Sequence, residues 1–196
     1  MITVIDYGAG NLASVRNALA EVNVEHTVVN TPAGVRAATD LILPGVGHFG
    51  QMMHALDVLG LRQPLLEQIA EGVPFFGICL GMQALFEGSE EAPGVKGLGL
   101  LPGLVRRFPA EARVPHMGWN RCEDRTGSGR GRPLPYRYFA HSYYCPVDQN
   151  VVCEVCAYGG VTFMASLQNA TIQGVQYHPE KSGPDGVALL RGFASC

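Results

Sequence analysis

Long hydrophobic runs, an excess of charge of one sign and a regular cysteine framework are all missing from this 196-residue sequence. No apolar stretch approaches the about 20 residues that cross a bilayer, so no membrane association is expected. The net charge of −3 argues against a general nucleic-acid-binding protein. Residues 2–5 are strand-like and lack the basic and apolar regions of a secretory signal. A cytoplasmic protein is therefore expected.

The six cysteines have no spacing that would suggest paired disulfides. Cys153 and Cys156 form a CxxC pattern, but an extended segment places residues three apart on opposite faces of a strand. No second pair is available to complete a zinc site. We therefore expect neither a bound metal nor another cofactor.

Five arginines lie between Arg121 and Arg137, in a segment that is also rich in glycine. This composition predicts a solvated loop around residues 125–135, with a contact to phosphate or to an acidic partner as the alternative. The pattern itself assigns no role to this stretch.

The order of apolar segments predicts one α/β domain that spans residues 1–196. The first half alternates strands and helices, which favours a parallel sheet flanked by helices. The second half is strand-like with short turns, which predicts additional antiparallel strands before a closing helix. The predicted strands are 2–6, 26–29, 41–43, 75–78, 104–107, 138–145, 151–157, 161–167 and 171–177, and the predicted helices include 12–22, one opened by Pro64, and one around 187–194.

Cys79 lies between Gly77 and Gly81, after the apolar run 73–76 and before a helix-compatible stretch at 82–86. A strand, a sharp turn and a helix in this order are typical of a nucleophile elbow, where only small residues fit beside the turn. The N-terminus of the helix would favour a thiolate and offer N–H groups to an oxyanion. A buried, inert cysteine is the alternative, and the flanking glycines favour the nucleophile.

A base for Cys79 is expected in the segment 174–180, which contains His178 and Glu180. His178 precedes a proline, so it is expected to end a strand, with Glu180 projecting to the same side. Glu180 would then orient the imidazole. The three residues have the composition of a triad for acyl transfer. For His-Pro-Glu alone, a turn with a solvated glutamate is the alternative.

Residues 44–47 read Pro-Gly-Val-Gly and follow the apolar segment 41–43. Because ligands bind beyond the carboxyl ends of parallel strands, this loop and the elbow are expected to emerge side by side. The N–H of Leu80 and that of Val46 or Gly47 are the predicted oxyanion donors. Taken alone, a Pro-Gly pair after a strand is also typical of an ordinary turn.

Residues 8–13 match the G-x-G-x-x-G/A pattern of dinucleotide-binding proteins, after a strand and at the start of a helix. A dehydrogenase is therefore a rival hypothesis. However, the second strand ends at Asn30, where such a site needs an acidic residue for the ribose hydroxyls. This hypothesis also leaves Cys79, His178 and Glu180 without a function.

The segments around Cys79 and His178 resemble those of the class I glutamine amidotransferases. The triad of that family hydrolyses glutamine to glutamate and ammonia through a glutamyl thioester. Further segments are similar to the glutaminase subunits of imidazole glycerol phosphate synthases, which serve histidine biosynthesis. These segments are 6–11, 44–47, 115–120, 141–143 and 176–182.

This resemblance implies a flavodoxin-like sandwich and a binding site for glutamine. The residues that it implies for the amino-acid end of glutamine are Gly47, Gln83, Ser142 and Tyr143. Gln83 on the elbow helix could instead be a solvated side chain. Glutaminase subunits of a different amidotransferase, a stand-alone γ-glutamyl hydrolase and a catalytically silent binding module remain the alternatives.

The resemblance also implies a (β/α)8-barrel synthase subunit as partner in a heterodimer. That partner would use the ammonia to make imidazole glycerol phosphate and an aminoimidazole carboxamide ribotide. Asn11, Trp119 and Lys181 are the residues implied at the interface. Trp119 considered alone would be assigned to the core, since large aromatic side chains are usually mostly buried.

Overall fold

The computed structural model describes residues 1–8, 11–126 and 133–194. The strands in these residues are β1 (Ile2–Ile5), β2 (His26–Val29), β3 (Asp40–Gly45), β4 (Phe75–Cys79), β5 (Phe86–Ser89), β6 (Leu101–Arg107), β7 (His116–Asp124), β8 (Pro133–His141), β9 (Tyr143–Tyr144), β10 (Val152–Tyr158), β11 (Val161–Asn169) and β12 (Ile172–Val175). The helices are α1 (Leu12–Glu21), α2 (Pro32–Arg36), α3 (Phe49–Val58), α4 (Arg62–Ala70), α5 (Leu80–Gln83) and α6 (Gly183–Phe193), with a 3-10 helix at Pro179–Lys181. Ala9 and Gly10 of the dinucleotide-like motif, most of the 125–135 stretch and Cys196 lie outside the described residues.

The main sheet has the strand order β2-β1-β3-β4-β12-β11-β10-β7-β8. Strands β2, β1, β3, β4 and β12 are parallel neighbours, and β11, β10, β7 and β8 continue the sheet in antiparallel pairing. A smaller sheet has the order β5-β6-β9. The predicted α/β fold, with a mostly parallel core and additional antiparallel strands, is confirmed.

The two faces of the parallel strands bury different side chains, because successive residues of a strand point to opposite sides. Leu41 and Leu43 of β3 belong to a core that also contains residues of α3 and α4. Ile42, between them, belongs to the core that contains residues of α1 and α6. The sheet is therefore covered by helices on both faces. No helix in the described ranges is long and apolar enough to span a membrane.

Strand β3 continues two residues beyond the predicted end, so the loop does not begin at Pro44. Pro44 pairs with Ile78 of β4, and Gly45 pairs with Cys79. The pairing of β3 with β1 ends at Ile42. A proline is therefore tolerated at position 44, since its missing N–H lies beyond the part of β3 that pairs with β1.

The helix after Cys79 is shorter than the predicted stretch at 82–86. Helix α5 ends at Gln83, and Phe86 already begins β5. The N–H of Leu98 donates to the carbonyl of Ala84, which ties the chain after the helix to the segment before β6. Four residues offer N–H groups at the turn but no extended macrodipole. The macrodipole that we expected to favour a thiolate at Cys79 is therefore not provided by this helix.

The remaining differences concern elements that the periodicity did not reveal. The sequence interpretation omitted α2, α3, β5 and β7. Strand β7 alternates regularly between exposed and less exposed residues, but it was missed because the less exposed positions carry few apolar side chains: they are His116, Gly118, Asn120, Cys122 and Asp124. The predicted strand 138–145 is two strands, β8 and β9, separated at Ser142.

The turn between β4 and α5 packs directly against β3. A Cβ atom on Gly81 would collide with the backbone carbonyl of Leu43, and one on Gly77 would lie 2.7 Å from the carbonyl carbon of Gly81. A side chain on Gly45 would likewise meet Leu80 at 2.7 Å. Only glycine allows these three segments to approach so closely.

We predict that Gly81→Ala lowers the free energy of unfolding by at least about 2 kcal/mol, because the backbone of β3 or of the turn must move. Gly192→Ala is the control, since a Cβ atom at this position would have no described atom within 4 Å beyond its own helix backbone, and alanine favours a helix. Urea unfolding at equilibrium measures both. Equal stability of the two variants would contradict the packing described for Gly81.

Candidate active site

The carboxyl ends of β3, β4 and β12 meet at one edge of the sheet, because these strands are parallel neighbours. Gly45 pairs with Cys79 in register, so the residues after β3 begin beside this cysteine. Val175 pairs with Ile78, so the segment after β12 leaves the sheet at the same edge. Three segments that are distant in sequence therefore converge where open α/β sheets bind ligands.

Cys79 occupies a strained turn. Its backbone has φ 53° and ψ −103°, and the residue is 5% exposed. Residues other than glycine in this region cost about 1–3 kcal/mol of strain, which the surrounding structure must offset. Strain of this kind is common at active sites, and the sharp strand-to-helix turn is the geometry of a nucleophile elbow.

His178 and Glu180 form a buried hydrogen-bonded pair. Nδ1 of His178 lies 2.9 Å from Oε1 of Glu180, and the two side chains are 2% and 0% exposed. Strand β12 ends at Val175, and Glu180 lies on the 3-10 helix. The expectation that His178 ends a strand is therefore wrong. The turn after Pro179, rather than a two-residue strand period, brings the carboxylate to the ring.

Asn11 contributes a second contact to this pair. Its Nδ2 donates to Oε1 of Glu180 at 3.0 Å, across 169 residues of sequence. Asn11 directly precedes α1, so the contact links the start of that helix to the carboxylate. One oxygen of Glu180 thus accepts from both an amide and an imidazole, which holds the carboxylate in a single orientation.

The environment raises the pKa of His178 to about 10. Burial alone lowers this pKa and is the largest single cause, but the charge of Cys79, the hydrogen bond to Cys79 and the contact with Glu180 together outweigh it. The imidazole is therefore positively charged at neutral pH and loses that charge only as the pH rises towards 10. A positive ring between a sulfur and a carboxylate is the arrangement of a cysteine nucleophile with an oriented base.

Gln176 is a site residue to which sequence analysis assigned no role. Its Nε2 lies 3.6 Å from Sγ of Cys79, and its Oε1 accepts from Nε2 of Gln83 at 3.1 Å. The same Nε2 of Gln83 donates to the carbonyl of Tyr143 at 2.9 Å. Gln83 is buried rather than solvated. The sequence could have indicated Gln176, because it lies two residues before His178 on the same segment.

A cavity of about 180 Å³ opens beside Cys79. It is lined by Val46, Gly47, Cys79, Leu80, Gln83, Glu91, Pro115, Met117, Ala140, His141, Ser142 and Tyr143. The structure thus places every residue that we predicted for oxyanion or substrate binding at one cavity. Glu91 was not predicted, and its carboxylate also accepts from the N–H of Phe49 at 2.7 Å.

Trp119 and Lys181, two of the three residues that we expected at an interface, both lie near Tyr138. Trp119 is 55% exposed, and its ring meets that of Tyr138 edge-on at 6.1 Å. Nζ of Lys181 lies 5.8 Å from the centre of the Tyr138 ring. We call these three residues the Trp119–Tyr138–Lys181 patch. The assignment of Trp119 to a core is wrong, because β7 carries it on a solvent-facing side.

The other described cysteines lie in environments unlike that of Cys79. A hydrogen bond with Cys156 and burial raise the pKa of the Cys122 thiol, and burial raises those of Cys145 and Cys153. Cys156 is buried in the core and Cys153 is half-buried. The register of β10 shifts between Val152 and Val155, so the strict two-residue alternation that we expected between the two cysteines is interrupted. Among residues 1–8, 11–126 and 133–194, no three His, Cys, Asp or Glu side chains are grouped to hold a metal ion.

Comparison with known proteins places this geometry in a family. Residues 3–195 match the family model described as glutamine amidotransferase class-I. The HisH subunit of imidazole glycerol phosphate synthase from Deinococcus radiodurans is 48% identical, over 98% of this chain and 92% of that protein. The HisH subunit from Methanothermobacter thermautotrophicus is 46% identical, over 98% and 97%. The chloroplastic hisHF protein of Arabidopsis thaliana is 44% identical, over 98% of this chain but 34% of that protein.

Solved structures support the same fold at lower identity. A glutamine amidotransferase superposes with a TM-score of 0.78 at 19% identity and covers the whole of both chains. A chain of PurLQS from Thermotoga maritima superposes with a TM-score of 0.74 at 18% identity, over 99% of this chain and 97% of that chain. The chain belongs to the class I glutamine amidotransferases and, within them, to the HisH glutaminase subunits of imidazole glycerol phosphate synthase.

Proposed function

We propose that this subunit hydrolyses glutamine with Cys79 as nucleophile, His178 as acid and base, and Glu180 as the group that orients His178. The observation that carries the proposal is the buried His178–Glu180 pair beside a cysteine in a strained turn. Sγ of Cys79 attacks the side-chain carbonyl of glutamine, and the proton of the imidazolium passes to the departing nitrogen. Ammonia leaves, and a glutamyl thioester remains on Cys79.

The second half of the reaction uses the same residues in reverse. His178, now neutral, removes a proton from water, and the resulting hydroxide attacks the thioester. Glutamate leaves, and Cys79 and His178 return to their starting charges. Glu180 stabilises the imidazolium in both steps without exchanging a proton itself, because its contacts with Asn11 and His178 hold it as an acceptor.

The cavity supplies groups that complement glutamine. Glu91 places a carboxylate in the cavity wall, which suits the α-ammonium group of the substrate. Gly47, Ser142 and Tyr143 line the same wall and would hold the amino-acid end by backbone and hydroxyl groups. Gln83 acts differently from our expectation of direct binding. Its amide nitrogen already donates to Tyr143 and Gln176, so it would support the wall behind the substrate.

Residues 46, 47 and 80 would stabilise the oxyanion. Leu80 follows the nucleophile, and its N–H is one expected donor. Gly47 has φ 99°, a conformation that glycine adopts freely, and Val46 is 36% exposed at the mouth of the cavity. The peptide between them is therefore free of the packing that holds Gly45, and a rotation of this peptide would aim a second N–H at the oxyanion. Each such donor contributes about 3 kcal/mol to the transition state.

The product ammonia would pass to a synthase subunit with a (β/α)8 barrel, in a heterodimer. The Trp119–Tyr138–Lys181 patch supports this partner, because it exposes a large aromatic ring beside a lysine that directly follows Glu180. The hisHF relative supports it as well, since this chain matches only 34% of that protein and leaves room for a fused second unit.

We propose a single amidotransferase domain over residues 1–196 and a cytoplasmic location.

We predict that Cys79→Ala abolishes glutamine hydrolysis, because no thioester can form, while binding to the synthase subunit is retained. His178→Ala should be nearly as inactive, and Glu180→Gln should keep measurably more activity, since Glu180 only orients and compensates charge. Glutamate release in the presence of the synthase measures all three. Activity of Cys79→Ala above about 1% of wild type would contradict the assignment, since triad losses are about 10⁴-fold or more.

We also predict that a diazo-ketone analogue of glutamine alkylates Cys79 selectively. The reagent should reach this residue because it lines the substrate cavity, whereas burial keeps Cys122 and Cys145 protonated and out of contact. Peptide mapping by mass spectrometry identifies the modified residue. Cys153 is the internal control for a half-buried thiol, and Cys196 should also react slowly. Faster labelling of either would oppose the proposed site.

A third prediction concerns control by the partner. Lys181→Ala should lower the glutamate release that the synthase stimulates, or uncouple it from the use of ammonia by the synthase. The slow glutamate release of the isolated chain should stay nearly unchanged. The matched control is Lys96→Ala, which removes the other lysine of the sequence. If the isolated wild-type chain already hydrolyses glutamine at the full rate of the complex, activation by the partner is wrong and a stand-alone hydrolase is the better assignment.

A further inference from the structure

Two buried histidines outside the triad are joined by a continuous line of hydrogen bonds. Nδ1 of His116 lies 3.1 Å from Nε2 of His141, and Nδ1 of His141 lies 2.8 Å from the carbonyl oxygen of Tyr143. At the other end, Nδ2 of Asn120 lies 3.3 Å from Nε2 of His116. Asn120 also donates to the carbonyl of Ala157 at 3.1 Å. The line runs from β7 to the wall of the cavity.

The proton positions along this line follow from its two ends. The Tyr143 carbonyl only accepts, so Nδ1 of His141 carries a proton and its Nε2 is free to accept. His116 must then donate from Nδ1, which leaves its Nε2 as the acceptor for Asn120. The N–H of Arg121 donates to Oδ1 of Asn120 at 2.8 Å, so the amide nitrogen is the end that faces His116. All hydrogen bonds of the line therefore point the same way, from Asn120 through His116 and His141 to the carbonyl of Tyr143.

Aromatic rings hold the His116 ring in place. It is stacked between Tyr158, at 3.9 Å and 18°, and Phe139, at 4.7 Å and 19°. Phe163 lies across the His141 ring at 5.1 Å. Both histidines are more than nine-tenths buried. A ring clamped in this way cannot turn to exchange its two nitrogens, so the order of donors and acceptors is maintained.

Both rings are neutral in this environment. Burial lowers the pKa of His116 to about 4. Burial is also the main cause that lowers the pKa of His141 to about 3, and the positive charges of His116 and His178 would lower it further, against the effect of the Tyr143 carbonyl. A second proton on either ring would place two N–H groups face to face.

The line ends at the backbone carbonyl of Tyr143, which accepts a second hydrogen bond from Gln83. The oxygen of Tyr143 accepts from Nδ1 of His141 at 2.8 Å and from Nε2 of Gln83 at 2.9 Å. Two donors occupy both lone pairs, so this oxygen is not available to a substrate. Its peptide plane is fixed instead, and with it the wall that Ser142 and Tyr143 present to the cavity.

We infer that His116 and His141 are positioning residues for glutamine: as neutral Nδ1–H tautomers, they transmit the position of Asn120 on β7 to the Tyr143 carbonyl and so set the shape of the substrate cavity. This inference rests on the proposed glutaminase function for the identity of the substrate. Asn120 is adjacent to Trp119 of the surface patch. The line therefore joins the face that would contact the synthase to the wall that would contact glutamine.

The first test reads the tautomers directly and does not depend on activity. Nitrogen-15 NMR of the full chain, with labelled histidine, should show His116 and His141 neutral and protonated at Nδ1 from pH 5.5 to pH 8. His54, which is exposed on α3, supplies the reference resonance of a solvent-accessible ring in the same spectra. A positive charge or an Nε2–H tautomer at either buried ring in this range would overturn the inference.

The second test separates positioning from packing with two substitutions of His116, each assayed in complex with the synthase. His116→Phe keeps an aromatic ring between Tyr158 and Phe139 but leaves His141 without a donor, so KM for glutamine should rise about tenfold with kcat changed less than about threefold. His116→Asn places an amide nitrogen near the position of Nδ1 and should bring KM back to within about threefold of wild type.

If His116 acted only by packing, KM for glutamine would rise more in His116→Asn than in His116→Phe, because phenylalanine fills the aromatic stack and asparagine does not. The positioning role predicts that stability and KM do not follow each other: thermal unfolding should show His116→Phe to be more stable than His116→Asn, although His116→Phe has the higher KM. A KM for His116→Phe within about twofold of wild type, or an equal rise in both variants, would overturn the positioning role. If the wild-type complex releases no glutamate, the proposed function fails, and the tautomers measured by NMR still decide whether the line exists.

Discussion

The close approach of Gly81 to the backbone of Leu43 is the constraint on which the rest of the site depends. It allows the turn after β4 to lie against β3, and this places Cys79 in register with Gly45. The next two residues, Val46 and Gly47, then line the cavity together with Cys79. A side chain at position 81 would move Cys79 away from the oxyanion donors that we propose at residues 46 and 47, so the same glycine meets a packing requirement and a requirement of the proposed reaction.

Burial acts on three histidines of this site with opposite results. His178 is buried beside Glu180 and Cys79, and their negative charge raises its pKa to about 10. His116 and His141 are buried among aromatic rings, and there burial is the main cause that lowers their pKa values to about 4 and about 3. The neighbours therefore decide the charge. The His178 ring therefore carries the proton that the proposed mechanism requires, and the neutral His141 ring adds no second positive charge beside it.

Sequence patterns were informative where local chemistry dictates the backbone. The glycines around Cys79 and the proline after His178 predicted the sharp turn and the extended residue that the structure contains. The length of α5, the end of β12 and the contact of Asn11 with Glu180 were not predictable, because they depend on pairings between distant segments. The exposure of Trp119 was predictable only from the family resemblance, since an isolated tryptophan is usually buried.

The central claim is that Cys79 carries the acyl group during turnover. The direct measurement is an acid quench of the wild-type complex during steady-state hydrolysis of carbon-13-labelled glutamine, followed by mass spectrometry of the peptide that contains Cys79. The account predicts a labelled glutamyl group bound to Cys79 that disappears when glutamine is exhausted and is absent from Cys79→Ser under the same conditions. Turnover at the full rate with no acyl group on Cys79, or with the label on another residue, would contradict it.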